Sequence, residues 1–153
     1  MPLTGTYTRT IDDKQRLAVP KPLREAFGKD AATAEATVEA SVLYVAPGTD
    51  TSLMVFSEAG FQRYSDRFSQ ASVNRTDIRR YLRMFYAQAE RIELDSQGRV
   101  RIPERLMQFA GLSKEAVILG VHDHAEVWDK QKWDEFLTAN GDDFDQMAAQ
   151  SFE

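Results

Sequence analysis

Residues 11–28, IDDKQRLAVPKPLREAFG, return in altered form as residues 94–111, LDSQGRVRIPERLMQFAG. Five positions are identical at one constant spacing: Asp12/Asp95, Arg16/Arg99, Pro20/Pro103, Leu23/Leu106 and Gly28/Gly111. Apolar character also matches at Ile11/Leu94, Leu17/Val100 and Val19/Ile102. A second block repeats at a shorter spacing, LMVFSEAGFQRY at 53–64 over AEVWDKQKWDEF at 125–136. Two blocks in the same order make the chain two copies of one supersecondary unit, and such units bury their apolar faces against each other. The first copy has the longer middle, and the AATAEATVEA stretch is the expected place of its extra residues.

Each block reads as strand and helix. Alternating apolar residues at 17 and 19, and at 100 and 102, predict short strands with one buried face. Pro20 and Pro103 suit a helix start, where a missing N–H costs nothing. The helices are expected over PKPLREAF and PERLMQFA, with Gly28 and Gly111 as left-handed C-terminal caps. In the second block, strands VLYVA, SLMVF, AVILGV and AEVW lead to helices capped by Ser57 and Asp129. Phe56 with Phe61, and Trp128 with Trp133, have the spacing of a hydrophobic staple, so these aromatics are assigned to packing. Between the copies, Asn74 is the expected cap of a helix over RTDIRRYLRMFYAQAE. That helix has Ile78, Tyr81, Leu82, Phe85 and Ala89 on one face and a side rich in arginine. The acidic, weakly patterned tail after Asn140 is expected to fray. The resulting units are 6–60, 61–88, 89–132 and 133–153: repeat one, a helical connector, repeat two, and a C-terminal helix with tail.

Between the strands of each copy stands Asp-x-x-x-Arg. Three intervening residues suit a type I turn followed by a left-handed residue that forms a bulge. Gly98 takes that place without strain, whereas Gln15 takes it at a cost. Asp12 with Arg16, and Asp95 with Arg99, then face each other across the strand ends. One reading is that each pair merely clips its turn. The other is that the tips, with Lys14, Arg101 and nearby Arg9, Arg24 and Arg105, make a positive rim. An arginine oriented by a carboxylate has a planar fork suited to phosphate or a guanine edge.

Charge bears on this choice through its distribution. The chain carries a net −5. Residues 1–30 hold six basic side chains against four acids, and residues 75–107 hold eight arginines against five acids. Residues 122–153 hold two lysines against nine acids, so an acidic end masks two basic regions. There is no cysteine, which excludes thiolate metal sites and cysteine nucleophiles. His122 and His124 flank Asp123 without a clear third ligand, and HDHA reads as a solvent-exposed hairpin turn. No phosphate-cradling glycine loop or nucleophile elbow occurs. An enzyme is therefore not expected, nor is any cofactor, metal or small-molecule ligand. The N-terminal MPLTGTYTRT lacks the apolar core of a secretory signal, and no run has the length of a membrane span. A cytoplasmic location without membrane contact is the expectation.

At GTYTRTIDDKQRLAVPKPLREAFG, LDSQGRVRIPERLMQFAGLSKEAVILGV and AEVWDKQKW the chain resembles the MraZ family. The resemblance covers nearly the whole chain, up to about residue 137. It implies two tandem SpoVT/AbrB-type units and a β-rich α+β fold, interlocked as a pseudo-dimeric swapped-hairpin barrel with flanking helices. It also implies ring-like homo-oligomers, nucleoid association and binding of double-stranded promoter DNA. The sites implied are repeated short elements upstream of the division and cell-wall gene cluster, including the protein's own gene. The family's DNA-contacting motif falls on Asp12, Arg16, Asp95 and Arg99. The family usually has Gly before the motif arginine, as at Gly98, and Gln15 departs from it. The competing function is an oligomeric protein-interaction scaffold without specific DNA binding.

Overall fold

A computed structural model describes residues 2–30, 39–69 and 75–152. Both the AATAEATVEA insertion, apart from its last two residues, and the Asn74 cap lie outside the described residues. The first half contributes β1 (Thr6–Thr10), β2 (Arg16–Ala18), α1 (Lys21–Lys29), β3 (Val42–Pro47), β4 (Leu53–Phe56) and α2 (Glu58–Ser69). A connecting helix α3 (Thr76–Gln88) leads into the second half. There β5 (Glu90–Glu93), β6 (Arg99–Arg101), α4 (Glu104–Ala110), β7 (Glu115–Gly120), β8 (Ala125–Asp129) and α5 (Lys130–Asn140) follow in the same order. The chain closes with a 3-10 turn and α6 (Phe144–Ser151).

The strand pairing makes the duplication physical. One six-stranded antiparallel sheet has the order β1-β7-β8-β4-β3-β5, and β2 pairs with β6 in a separate ribbon. Exchanging the two halves reverses this order onto itself. Most pairings join the halves: β1 with β7, β2 with β6, β3 with β5, and β4 with β8. The halves therefore interlock strand by strand.

The ladder is open, however, with β1 and β5 at its edges, and the barrel expected from the resemblance does not close among the described residues. The cause is local. Each ribbon strand is three residues long and soon meets Pro20 or Pro103, which have no N–H to extend a ladder. Among the described residues, an isolated bridge from Ile11 to Leu17 links β1 to β2 beyond the tip.

The main core lies between the inner face of this ribbon, helices α1 and α4, and one face of the sheet. Leu17, Val19, Val100 and Ile102 meet Leu23, Phe27 and Leu106, with Leu43, Val55, Ile118 and Val127 from the sheet. A smaller cluster covers the opposite face, where Phe85 of α3 packs with Ala46, Met54 and Phe56. Of the apolar face predicted for α3, Phe85 is the one member fully buried, while Tyr81 remains partly exposed.

The caps follow the sequence with one correction. Ser57 Oγ accepts from the Gly60 amide, and Asp129 Oδ2 accepts from the Lys132 amide. Both staples form, with ring centroids 5.7 Å apart for Phe56–Phe61 and 5.2 Å for Trp128–Trp133. Gly111 is the left-handed cap of α4 at φ 62°. Gly28 is not a cap: α1 continues helically through it to Lys29. The next residue, Asp30, is anchored by Ser57 Oγ and Arg63, and these contacts draw the chain one further step along the helix. The tail likewise departs from expectation, since α6 is helical, although none of its residues is buried.

Candidate nucleic-acid interface

The two hairpin tips are built alike. In the first, the Asp12 amide donates to the Arg16 carbonyl at 3.1 Å and the Gln15 amide to the Asp12 carbonyl at 3.0 Å. In the second, Asp95 donates to Arg99 at 2.9 Å and Gly98 to Asp95 at 3.0 Å. Gln15 and Gly98 are both left-handed, at φ 64° and 75°, so the expected bulge is present in each copy.

The aspartates hold the turns together. Asp12 Oδ1 accepts from the amides of Lys14 and Arg16, while Oδ2 accepts from Arg16 Nε at 2.6 Å. Asp95 repeats the pattern with the amides of Gln97 and Arg99 and with Arg99 Nε at 2.8 Å. The Arg16 amide, joined by its side chain and the Lys14 amide, holds the Asp12 carboxyl below the usual carboxylate range against an opposing desolvation. Arg99 does the same for Asp95. Both acids thus remain anionic at neutral pH and fix their arginines.

Pairing β2 with β6 brings the tips side by side. Arg16 stands opposite Arg101, Leu17 opposite Val100, and Ala18 opposite Arg99. The period of two sends Leu17 and Val100 into the core, so Arg16, Arg99 and Arg101 line the outer face. Arg99 Nη1 also lies 3.9 Å from Asp12 Oδ2, so the two clips share one electrostatic neighbourhood. Arg16 and Arg99 retain side-chain exposures of 32% and 25%. In each, Nε is committed to its aspartate while the Nη atoms make no hydrogen bond within the described residues. Apart from that 3.9 Å approach of Arg99 to Asp12, the end of each fork is available to an outside acceptor.

The remaining cations divide clearly. Lys14 and Arg101 are exposed and form no ion pair among the described residues. Arg24 is turned inward, donating from Nη1 to the Val19 carbonyl and from Nε to Glu39. Arg105 pairs with Glu90 at 2.9 Å, and Arg9 lies over the Tyr7 ring. Arg24 and Arg105 therefore do not join the rim.

The sequence did not disclose why the second tip needs glycine. A Cβ on Gly98 would stand 2.6 Å from Arg24 Nη1 and 2.8 Å from its Cζ. For the first tip, the residue equivalent to Arg24 is Met107 of the second copy, and Gln15 instead reaches Glu104 at the start of α4.

A second polar cluster has no counterpart in the sequence pattern. The HDHA turn does join β7 to β8, with His122 at φ 67°. His124 is nevertheless largely covered, which corrects the solvent-exposed loop. Its Nδ1 meets Asp123 at 2.7 Å, its Nε2 lies 3.5 Å from Glu126, and its ring neighbours Phe56. Arg67 of α2 reaches the same Asp123 at 2.7 Å, so the cluster ties α2 to the turn. The charged side chains of this cluster are paired with one another.

Fold and site together define a class: a duplicated α+β protein that presents a paired, carboxylate-braced arginine ribbon on one outer face. The family profile described as "MraZ protein, putative antitoxin-like" matches residues 3–84 and again 85–153. A "Transcriptional regulator MraZ" of Limosilactobacillus fermentum is 34% identical over 95% of this chain and 93% of its own length. The proteins of that name from Thermomicrobium roseum and Moorella thermoacetica are 35% and 31% identical. They align over 95% and 94% of this chain, and over 96% and 92% of their own lengths. The chain belongs to the MraZ family.

Proposed function

We propose that this protein is a DNA-binding transcription regulator rather than an enzyme, and that the β2–β6 ribbon is its reading head. Asp12, Lys14, Arg16, Asp95, Arg99 and Arg101 form the contact set, with Arg16 and Arg99 at its centre. The observation that carries the reading is the pair of guanidinium groups whose Nε atoms are held while their outer nitrogens make no hydrogen bond among the described residues. Such a fork is pre-oriented for phosphate oxygens or for the O6 and N7 acceptors of guanine, and a two-stranded ribbon fits the major groove. The names of the relatives support regulation as the role.

The finer reading is sequence-specific binding of repeated short sites in the promoter of the division and cell-wall gene cluster, including the protein's own gene. Binding takes place at the nucleoid in the cytoplasm, by a ring-like homo-oligomer of swapped-hairpin units whose strand segments fall within 6–60 and 89–132. One chain presents few free cations, so affinity must come from several tips engaging successive repeats at high effective concentration. Footprinting on the DNA upstream of the gene tests this. Regularly spaced protected elements are expected, and uniform protection would reduce the activity to non-specific binding.

A further inference from the structure

The two tips are braced from behind by different chemistry. Beneath the second tip, Arg24 of α1 donates from Nη1 to the Val19 carbonyl and from Nε to Glu39. The Val19 amide donates to the Gly98 carbonyl, the Gly98 amide to the Asp95 carbonyl, and Arg99 Nε to the Asp95 carboxylate. A continuous chain of hydrogen bonds thus runs from α1 of the first copy to the Arg99 fork of the second. Bonds linked in this way strengthen one another. Behind the first tip the backbone links recur, from Ile102 through Gln15 and Asp12 to Arg16. There the equivalent of Arg24 is Met107, a buried side chain without a donor, and the turn is tied instead by Gln15 to Glu104.

We infer that Arg24 is a positioning residue for Arg99: it touches no DNA, yet it sets the aim of the second tip and leaves the first unaffected. The inference rests on the ribbon being the DNA-contacting element. A contact to a base edge needs its donors placed to within about 0.5 Å by groups that are themselves held. β6 is three residues long, so the second tip takes its placement from what stands behind it. The Arg24 fork is planar and grips two acceptors at once, which fixes its direction as well as its distance. Its side chain is 18% exposed, and Gly98 has no Cβ to keep the guanidinium away. The two reading arginines therefore answer to different supports, Arg99 to a cation of α1 and Arg16 to the side chain of Gln15.

Double-mutant cycles on the full chain test the assignment, read as affinity for duplex DNA from upstream of the gene. Arg24→Met introduces the side chain that the fold already accommodates as Met107. Alone it should weaken binding by roughly three- to tenfold, the scale of coupling through a residue that does not touch the ligand. The same loss should persist in an Arg16→Ala background and vanish in an Arg99→Ala background, where nothing is left to aim. Arg24→Lys keeps one donor for the Val19 carbonyl but loses the two-point grip. It should give a smaller loss with the same dependence on background, and it serves as the test if Arg24→Met does not fold. Undiminished binding by both variants, or a loss equally large in the two backgrounds, overturns the assignment. The second result would mean that Arg24 acts through the whole fold or through its charge. Either result spares the DNA reading as long as Arg99→Ala is itself weakened. Arg99→Ala binding as tightly as wild type would overturn that reading, and the assignment with it.

Discussion

Gln15 and Gly98 occupy equivalent places and hold up each other's copy. The Gln15 carbonyl accepts from the Ile102 amide at 2.9 Å, and the Gly98 carbonyl accepts from the Val19 amide at 3.0 Å. Each left-handed residue therefore ends the short ribbon by capping the strand that leads into the partner copy's helix. The fork geometry of Arg16 and Arg99 depends on that reciprocal lock.

The lock predicts opposite outcomes for exchanging the two residue types. Gly98→Ala adds a left-handed side chain, at a cost of roughly 1–2 kcal/mol, and a Cβ that displaces Arg24. Gln15→Gly removes similar strain but gives up the hydrogen bond to Glu104, so a net gain of at most about 1 kcal/mol is expected. Urea unfolding of both variants checks the sign of each change. Equal destabilisation by the two would show that left-handed strain is not what distinguishes the tips.

Acid should loosen the tips late. The Asp12 and Asp95 carboxyls are held below their ordinary value, chiefly by the Arg16 and Arg99 amides. A depressed native pKa contributes stability above the unfolded value, here 3.8, and that contribution is lost as pH falls through the lower native value. The Arg16 and Arg99 amide resonances should therefore hold steady from neutral pH down to about 4.5 and move only below the ordinary carboxylate range. Movement centred above it would mean the clips are open in solution.

The His124 cluster should act in the other direction. Burial lowers its pKa, but Glu126 and Asp123 together outweigh burial and raise it above 6.5. A raised native pKa stabilises fully below the unfolded value, and the benefit is lost as pH climbs through the native one. Thermal stability is therefore expected to decline from about pH 6 towards about pH 8, and His124→Gln should flatten that decline. An unchanged slope in the variant would assign the pH dependence elsewhere.

The features that rest on short-range pattern were legible in the sequence. Asp-x-x-x-Arg with its left-handed third residue, the Ser57 and Asp129 caps and the paired aromatics each depend on neighbours a few residues away. Gly28 misled because its helix end is decided by Asp30, whose partners Ser57 and Arg63 lie about thirty residues along the chain. Arg24 and Arg105 counted as rim cations for the same reason: Glu39 and Glu90 claim them only once the strands are in place. His124 was hidden because Arg67, which shares its Asp123, arrives from a separate helix. Sequence spacing finds clips and caps, whereas the fold decides which charges remain free.

The central claim concerns the unbonded ends of two arginine forks. Its most direct test is a titration of promoter DNA and random duplex at several salt concentrations, with wild type, Arg16→Ala/Arg99→Ala and Lys14→Ala/Arg101→Ala. The arginine-fork variant, still folded and assembled, is predicted to lose most of its preference for promoter over random DNA. The Lys14/Arg101 variant should weaken on both DNAs alike, its salt slope falling by about one for every phosphate that it no longer neutralises. Promoter preference undiminished without both Arg16 and Arg99 guanidinium groups would contradict the account.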